Sequence, residues 1–394
     1  MNKRPLIVLG LLIITVLLYS CAVFKKQPPH PIWVSAYYAG WMQGCGSAGH
    51  LSPKQIDHDA VTHIIHFSVL PNPDGSIDDS TKCISTENSY EIVTETHAKQ
   101  KKILISIGGW LSEQRFLEAT SDANRTKFIV NLIDLMTSRG YDGIDIDWEP
   151  LSSSSTARYS KFIIELRNTL NKITPHPLLT AAVKREPLTF AKLQDNFDQI
   201  NIMTYSLSGP RPGWISWHNA AIHNGGRIFP SGSRQLPSAD IMIKDFISAG
   251  VKKDKLGIGI AFFGYVWSGG EGTSSGGITA PGQGWTIAPA AKEMPYNKIM
   301  DNYFLSEYYR WDSSAKAAYL SINKAGSFDD KFISFDDERS CKEKIRYVTK
   351  NRLGGVIVFE LGGGWRPETP FPDSLLKTIK RSVPVIPEQK PLEK

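Results

Sequence analysis

Four acidic side chains lie within the eight residues 142–149, which read Asp-Gly-Ile-Asp-Ile-Asp-Trp-Glu. Successive side chains of a β-strand point to opposite faces, so Asp145, Asp147 and Glu149 would share one face of a strand. Carboxyl groups in such a buried row shift their pKa values, and one of them can stay protonated near neutral pH. The spacing therefore predicts a general acid with supporting carboxyl groups.

The acidic segment has two alternative interpretations, an acidic surface strand and a calcium-binding loop. A surface strand would not place Ile144, Ile146 and Trp148 at the intervening positions, where an apolar helix layer could cover them. A calcium loop of the EF-hand type needs its glycine and its last glutamate at other offsets, with a helix on each side. The pattern favours the catalytic interpretation.

The segment has the form DxxDxDxE, and it resembles the signature of the family 18 glycoside hydrolases, the chitinases and their relatives. Other family landmarks follow in the expected order along almost the whole chain. They are Tyr37-Tyr38 with Trp41, Phe67, the SxGGW segment at 106–110, the MxY segment at 203–205 and the glycine-valine segment at 354–358. The resemblance implies hydrolysis of β-1,4-N-acetylglucosamine linkages in chitin or chitooligosaccharides.

Short apolar segments alternate with amphipathic helical patterns, which is typical of parallel βαβ units and of an α/β fold. Eight strands are predicted, at 33–39, 62–70, 102–107, 143–148, 178–183, 199–205, 255–262 and 355–361. We therefore expect a (β/α)8 TIM barrel. The chain exceeds the ~250 residues of a minimal barrel. By resemblance to the family, we expect a small α+β insertion at about 265–335, between strands seven and eight.

Chemistry in (β/α)8 barrels lies at the carboxyl ends of the strands, which nominates Glu149 as the proton donor. The resemblance implies that Asp147 holds the N-acetyl group of the substrate. The carbonyl oxygen of that group then attacks the anomeric carbon in a retaining, substrate-assisted reaction. Asp145 is expected to share a proton with Asp147, so that these two groups titrate together.

Further site residues are expected around this row. Tyr205 would direct its hydroxyl group at the same acetamide. The residues expected to support the motif are Asp142, Ser106, Gly108 and Gly109. The residues expected to contact sugar are Tyr38, Phe67, Trp110, Met203, Trp214, Trp217 and Phe359. Tyr38 and Trp110 could instead pack in the core, whereas neighbouring Gly-Pro and Pro-Gly pairs favour exposed positions for Trp214 and Trp217.

Two positions depart from the family pattern. The tyrosine of MxY is usually followed by aspartate, and this chain has Ser206 there. Strand eight usually ends in a tryptophan that forms the floor under the sugar, and this chain has Phe359. Phenylalanine keeps a smaller aromatic floor, which Trp365 could extend from the following loop. Neither change removes the proton donor, so we expect turnover.

Composition limits the partners that the chain can have. The 394 residues carry a net charge of +6, which gives no indication of a nucleic-acid partner. No set of histidines and cysteines has metal-ligand spacing, so we expect neither metal nor cofactor. We expect a monomer that binds chitin or another N-acetylglucosamine-containing oligosaccharide.

Two other functions are compatible with the motif. One is an endo-β-N-acetylglucosaminidase that acts on N-glycans, since that activity shares the motif. The other is a non-catalytic chitinase-like lectin that binds sugar. Lectins of this type typically lack the glutamate of the motif, whereas Glu149 is present.

The first residues predict export. Lys3 and Arg4 precede an apolar run that ends in Leu-Tyr-Ser and Cys21, which resembles a bacterial lipobox. We expect a lipid on Cys21 that anchors the protein to a bacterial membrane. The alternatives are a plain signal peptide with secretion, and a retained membrane anchor. The expected segments are a signal peptide at 1–20, a tether at 21–31, the catalytic barrel at 32–383 and a disordered tail at 384–394.

The three remaining cysteines are Cys45, Cys83 and Cys341. Cys45 follows the first predicted strand and Cys83 follows the second, so the two could pair in an oxidising compartment. No spacing rule demands that bond, and both possibilities stay open. Cys341 would remain free and buried.

Overall fold

The computed structural model describes residues 30–45, 49–324 and 329–384, and residues 32–383 pack as one unit. The predicted signal peptide and Cys21, most of the predicted tether and nearly all of the predicted tail lie outside the described residues. No helix within the described ranges is long and apolar enough to cross a membrane.

Short strands alternate with helices along the described residues. The strands are β1 (Trp33–Ala39), β2 (His63–Pro71), β3 (Ile77–Asp78), β4 (Lys102–Gly109), β5 (Gly143–Trp148), β6 (Leu178–Val183), β7 (Gln199–Ile202), β8 (Leu256–Ala261), β9 (Phe263–Ser268), β10 (Ala290–Pro295), β11 (Tyr309–Asp312), β12 (Ala317–Ile322), β13 (Lys331–Phe335) and β14 (Gly355–Phe359). The α-helices are α1 (Thr86–Ala98), α2 (Glu113–Ala119), α3 (Arg125–Ser138), α4 (Thr156–Leu170), α5 (Pro187–Leu193), α6 (Ala239–Ser248), α7 (Tyr296–Asn302), α8 (Glu338–Asn351), α9 (Leu361–Gly364) and α10 (Ser374–Ser382).

Parallel strands close into a barrel in the order β1, β2, β4, β5, β6, β7, β8 and β14. The pairing of β1 with both β2 and β14 completes the ring. The predicted (β/α)8 fold is therefore confirmed. Between β8 and β14, strands β9 to β13 form a separate antiparallel sheet in the order β10-β9-β13-β12-β11, and α7 lies between β10 and β11. This sheet is the expected insertion, and its strands run from Phe263 to Phe335.

Two barrel strands end at least two residues earlier than predicted. β7 ends at Ile202, because the hydroxyl group of Thr204 then bonds β8 in place of backbone atoms. Thr204 Oγ1 accepts from the backbone nitrogen of Gly259 at 2.9 Å and donates to its carbonyl oxygen at 3.2 Å. β14 ends at Phe359, because the side chain of Glu360 accepts from the backbone nitrogen of Gly362 and starts α9.

Alternation along β5 separates an apolar outer face from an acidic inner face. Ile144, Ile146 and Trp148 are buried in the core between the barrel and its helices. The indole ring of Trp148 stacks on Phe116 of α2, with 4.5 Å between ring centres. Each such side chain stabilises the fold by about 1.5–3 kcal/mol through burial alone. This outer packing fixes the direction in which the acids of β5 point.

A disulfide joins Cys45 and Cys83, whose Cα atoms are 6.2 Å apart. The bond ties the segment after β1 to the segment before α1. Of the two possibilities that the sequence left open, the structure shows the bonded one. Cys341 is free and buried, as predicted.

An ion pair is buried where α8 packs against β8. Lys344 Nζ donates to Asp336 Oδ2 at 2.5 Å and to the carbonyl oxygen of Gly259 at 2.9 Å. The same carboxylate oxygen accepts from the backbone nitrogen of Ala261 at 2.9 Å. Each charge therefore depends on its partner for the solvation that burial removes.

Replacing Lys344 by methionine should destabilise the protein by about 3–5 kcal/mol, because Asp336 would keep a buried charge without a partner. Chemical denaturation followed by circular dichroism measures the change. Lys342→Met is the matched control, since Lys342 is exposed on the same helix and should change stability by less than about 0.5 kcal/mol. Equal stabilities for the Lys344→Met variant and the wild type would contradict the assignment.

Candidate active site

Asp145 is the innermost acid of the β5 row and is fully buried. Its Oδ2 accepts hydrogen bonds from Tyr37 Oη at 3.0 Å and Ser106 Oγ at 2.9 Å. Its Oδ1 accepts from Thr180 Oγ1 at 2.6 Å. Burial raises the pKa of Asp145, and these hydroxyl donors act in the opposite direction. Hydroxyl groups from β1, β4 and β6 thus fix this carboxyl group in place.

Asp147 and Glu149 form the reactive part of the row. Burial raises the pKa of Asp147 well above its usual value, and the negative charges of Glu149 and Asp145 raise it further. Burial also raises the pKa of Glu149. The two carboxyl groups interact with each other, and this interaction raises the pKa of Asp147 and lowers that of Glu149. Two buried carboxyl groups that interact strongly titrate as a pair.

The charge of Asp145 also raises the pKa of Asp147, and the expectation that these two groups share a proton stays a prediction. Hydroxyl donors occupy both oxygens of Asp145, whereas Asp147 has Glu149 as its carboxyl neighbour. Asp147 Oδ1 is buried and has no hydrogen-bond partner among the described residues. An oxygen in this state can accept a hydrogen bond from a bound substrate.

Two lysines flank the row, and the sequence interpretation missed both of them. Lys184 follows the last residue of β6, and its Nζ donates to the carbonyl oxygen of Ser206 at 3.1 Å. Burial lowers the pKa of Lys184 to about 8. Lys82 donates to the carbonyl oxygen of Gly108 at 3.1 Å and lies 4.5 Å from the ring centre of Phe67. Both positive charges lower the pKa of Glu149.

An aromatic wall lies beside the acids and contains several residues expected to contact sugar. Phe67, Met203 and Tyr205 belong to one buried cluster, and Phe359 packs against it. The ring centre of Phe359 is 5.3 Å from that of Phe67 and 6.1 Å from that of Tyr205. Burial raises the pKa of Tyr205 well above its usual value, and the charges of the acidic row add to that effect. The Tyr205 hydroxyl group is therefore within electrostatic reach of the acids.

The two glycines of the SxGGW segment allow β4 to lie close to the row. A Cβ atom on Gly108 would come within 2.1 Å of the carbonyl oxygen of Asp147. A Cβ atom on Gly109 would come within 2.7 Å of Lys82 Nζ and 2.9 Å of the Phe67 ring. Both residues also have φ values near +110°, which side chains disfavour. Ser106 contacts Asp145, as described above.

Asp142 lies at the opposite end of β5 from Glu149. Its Oδ2 accepts from the backbone nitrogen of Ile103 at 2.9 Å and is 2.9 Å from His97 Nε2. Its Oδ1 accepts from Lys102 Nζ at 2.8 Å. Asp142 therefore links β5 to β4 and α1, away from the reactive acids.

A cleft of about 750 Å³ opens beside Glu149 at the carboxyl ends of β5, β6 and β7. Trp110 and Trp214 line it, as do Met203 and Lys184. The side chain of Trp110 is 71% exposed, so its ring is available to a ligand. Of the tryptophans expected to contact sugar, these two lie in the cleft.

Three residues expected to contact or extend the sugar site lie elsewhere. Tyr38 is fully buried in the layer outside the barrel and donates to the carbonyl oxygen of Leu51, because Tyr37 takes the inward position. Trp217 is also fully buried, and its Nε1 donates to the carbonyl oxygen of Pro237. Trp365 packs against the main core and lines a different, small cavity. The sugar-contact predictions for Tyr38 and Trp217 are therefore wrong.

The family model "Glycosyl hydrolases family 18" matches residues 34–364. The chain belongs to this family. The chain is similar to Chitinase B of Serratia marcescens, with 27% identity over 78% of this chain and 73% of that protein. Chitotriosidase-1 of Mus musculus is 25% identical over 88% of this chain and 77% of that protein.

Solved structures with the same fold include the Ostrinia furnacalis group IV chitinase in complex with allosamidin. Its TM-score is 0.74 at 20% identity, over 89% of this chain and 98% of that one. The Trichuris suis chitinase TsES1 has a TM-score of 0.75 at 22% identity, over 90% of this chain and 100% of that one. These similarities agree with the barrel fold described above.

Replacing Lys184 by methionine should move the alkaline limb of the pH–activity profile to higher pH. The charge of Lys184 lowers the pKa of Glu149, so its removal lets Glu149 keep its proton at higher pH. The general acid is active while it is protonated, and activity therefore extends upward. The profile of kcat/KM on an aryl glycoside measures the shift.

Lys192→Met is the matched control, because Lys192 is an exposed lysine on α5. Its profile should coincide with that of the wild type. An alkaline limb that stays in place or moves to lower pH in the Lys184→Met variant would show that Lys184 does not act on Glu149.

Proposed function

We propose that this family 18 glycoside hydrolase cleaves β-1,4-N-acetylglucosamine linkages in chitin or chitooligosaccharides. The observation that carries the proposal is the buried row of three acids on β5, in which Asp147 and Glu149 interact and both have raised pKa values. The aromatic wall and the cleft tryptophans support it, since aromatic faces suit the C–H faces of pyranose rings. The names of the chitinase relatives point to the same substrate class.

In this proposal Glu149 is the general acid. It is the outermost acid of the row and the one that lines the cleft, so a glycosidic oxygen bound there can reach it. Burial keeps its carboxyl group protonated at a higher pH than that of a solvated glutamate. Proton transfer from Glu149 to the glycosidic oxygen lets the bond between that oxygen and the anomeric carbon break.

The substrate's own acetamide supplies the nucleophile. Its carbonyl oxygen bonds to the anomeric carbon as the leaving group departs, which gives an oxazolinium-like intermediate. The unpartnered Asp147 Oδ1 can accept the acetamide N–H, and the Tyr205 hydroxyl group can donate to the acetamide oxygen. Water then attacks the anomeric carbon and gives a proton to Glu149, while the bond from that carbon to the acetamide oxygen breaks and restores the acetamide. The two inversions retain the configuration.

Replacing Glu149 by glutamine should lower kcat on a chromogenic chitotriose substrate by about a thousandfold, because glutamine cannot donate the proton. Binding of chitotetraose, measured by calorimetry, should persist, since the shape of the side chain is kept. Glu307→Gln, at an exposed carboxyl group of the insertion, is the matched control and should retain full activity.

Unchanged turnover in the Glu149→Gln variant would refute the assignment of the acid. Fully de-acetylated oligomers test the mechanism in the same assay, because they lack the acetamide nucleophile. The wild type should cleave them far more slowly than acetylated oligomers. Equal rates on the two substrates would contradict substrate assistance.

We also propose that the protein is exported and anchored to a bacterial membrane by a lipid on Cys21. The lipobox-like sequence before Cys21 supports this location. The disulfide between Cys45 and Cys83 supports an oxidising compartment, since such bonds persist mainly outside the cytosol.

Metabolic labelling with palmitate in a bacterial host should label the wild type and place it in the membrane fraction. Cys21→Ser should abolish the label and release the protein, because the serine hydroxyl group does not replace the lipidated thiol. Cys341→Ser is the control and should remain labelled. A wild-type protein without label in the soluble fraction would contradict the anchor.

A further inference from the structure

Four basic side chains line the cleft on the side of β6 and β7. Lys184 and Arg185 follow the end of β6 directly, and Arg211 and Arg234 lie on the long segment between β7 and α6. The charges of Arg185 and Arg211 both act on Lys184, which shows that these groups lie close together. We call these four residues the basic wall.

The guanidinium groups of the basic wall have no acidic partner. Arg185, Arg211 and Arg234 are exposed, and none of them forms an ion pair with a carboxyl group of the described residues. Arg211 lies 5.1 Å and Arg234 lies 5.8 Å from the ring centre of Trp214. Two positive charges thus share one aromatic platform that faces the cleft.

Acidic groups near the basic wall do not cancel its charge. Asp245 of α6 lines the same cleft, and Glu293 of β10 lies within electrostatic reach of Lys184. The four basic side chains of the wall outnumber these two carboxyl groups even when both carboxyl groups are ionised. Glu149 itself is engaged with Asp147. The remaining balance on this side of the cleft is positive.

A neutral chitin chain offers such a wall hydroxyl and carbonyl oxygens as acceptors but no negative charge. Like charges at close range repel, and partial burial of Lys184 raises the free energy of its charged form. Guanidinium groups match carboxylates and sulfate or phosphate esters through paired hydrogen bonds. Trp110 and Trp214 would hold the sugar rings while the arginines bind a substituent on one of them.

We propose that the preferred substrate is an acidic β-1,4-linked amino-sugar glycan, in which an anionic substituent near the cleaved N-acetylglucosamine binds the basic wall. This inference rests on the proposed function and narrows its substrate class. The anionic substituent is a carboxylate or a sulfate ester carried by a sugar. The test distinguishes the two, because it includes one oligosaccharide of each kind.

The test compares three oligosaccharides of equal length. They are neutral chitohexaose, a hexasaccharide that alternates N-acetylglucosamine with its lactyl-ether acid, N-acetylmuramic acid, and 6-O-sulfated chitohexaose. At least one anionic oligomer should show a kcat/KM about tenfold above that of chitohexaose, as one charge-assisted contact allows. Whether the carboxylate or the sulfate oligomer is preferred assigns the source. The advantage should shrink as salt is raised, because the arginines are exposed.

A variant with Arg185, Arg211 and Arg234 all changed to glutamine should lose about tenfold in the ratio of anionic to neutral kcat/KM. The corresponding lysine variant should keep most of the ratio, because it keeps the charge. Arg346→Gln, at an exposed arginine of α8, is the control and should leave the ratio unchanged. Since both substrates are measured on one preparation, a partly unfolded variant does not distort the ratio.

Calorimetry with the Glu149→Gln variant repeats the comparison without turnover, and the preferred anionic oligomer should bind about tenfold more tightly than chitohexaose. Equal affinities and equal kcat/KM values for neutral and anionic oligomers would overturn this inference alone. Absence of turnover on all oligomers would overturn the proposed function, and the calorimetric comparison would still decide the inference.

Discussion

The burial of three carboxyl groups in one row inside the barrel is the constraint on which the site depends. Each group loses the solvation of water, a cost that only hydrogen bonds, protons or opposite charges can offset. A different type of interaction offsets this cost for each of the three acids. Hydroxyl groups donate to Asp145, the carboxyl groups of Asp147 and Glu149 interact with each other, and the positive charges of Lys82 and Lys184 act on Glu149.

These interactions explain why the three acids along β5 differ in their chemistry. Asp145 is held by hydroxyl donors that favour its charged form and oppose the effect of burial. Asp147 keeps one buried oxygen without a partner, and Glu149 lines the cleft. The innermost acid is thus fixed and the two outer acids are free to interact with a ligand. The outward packing of Trp148 on Phe116 prevents the row from turning away from the barrel interior.

Strand alternation in the sequence was sufficient to predict the barrel and the acid row, because both depend on local periodicity. The choice between Tyr37 and Tyr38 depends on which of them the register of β1 turns inward, and two adjacent tyrosines give no local signal for it. The turn residues before Trp217 led to an expectation of exposure. In the structure Trp217 packs against Ala315 and Ala317 of the distant insertion.

Lys184 and Lys82 differ in how well the sequence alone could predict that they belong to the site. Lys184 directly follows a predicted strand, and the carboxyl end of a barrel strand is where site residues are expected. Lys82 comes from the segment between β3 and α1, and no local pattern relates it to the SxGGW segment. The environment of Asp145 depends on hydroxyl donors from three other strands, which periodicity cannot assign.

The contact with Lys184 explains how the chain can have Ser206 where the family usually has aspartate. Family members usually carry an aspartate at this position, whereas Ser206 brings no charge and adopts a left-handed backbone with φ of 51°. A small residue tolerates this conformation, and the carbonyl oxygen of Ser206 accepts from Lys184 Nζ. An aspartate at position 206 would add a negative charge beside Glu149. This chain instead has the neutral Ser206, whose carbonyl oxygen binds the ammonium group of Lys184. Burial raises the pKa of Glu149 and the charge of Lys184 lowers it, and the same cation begins the basic wall of the cleft.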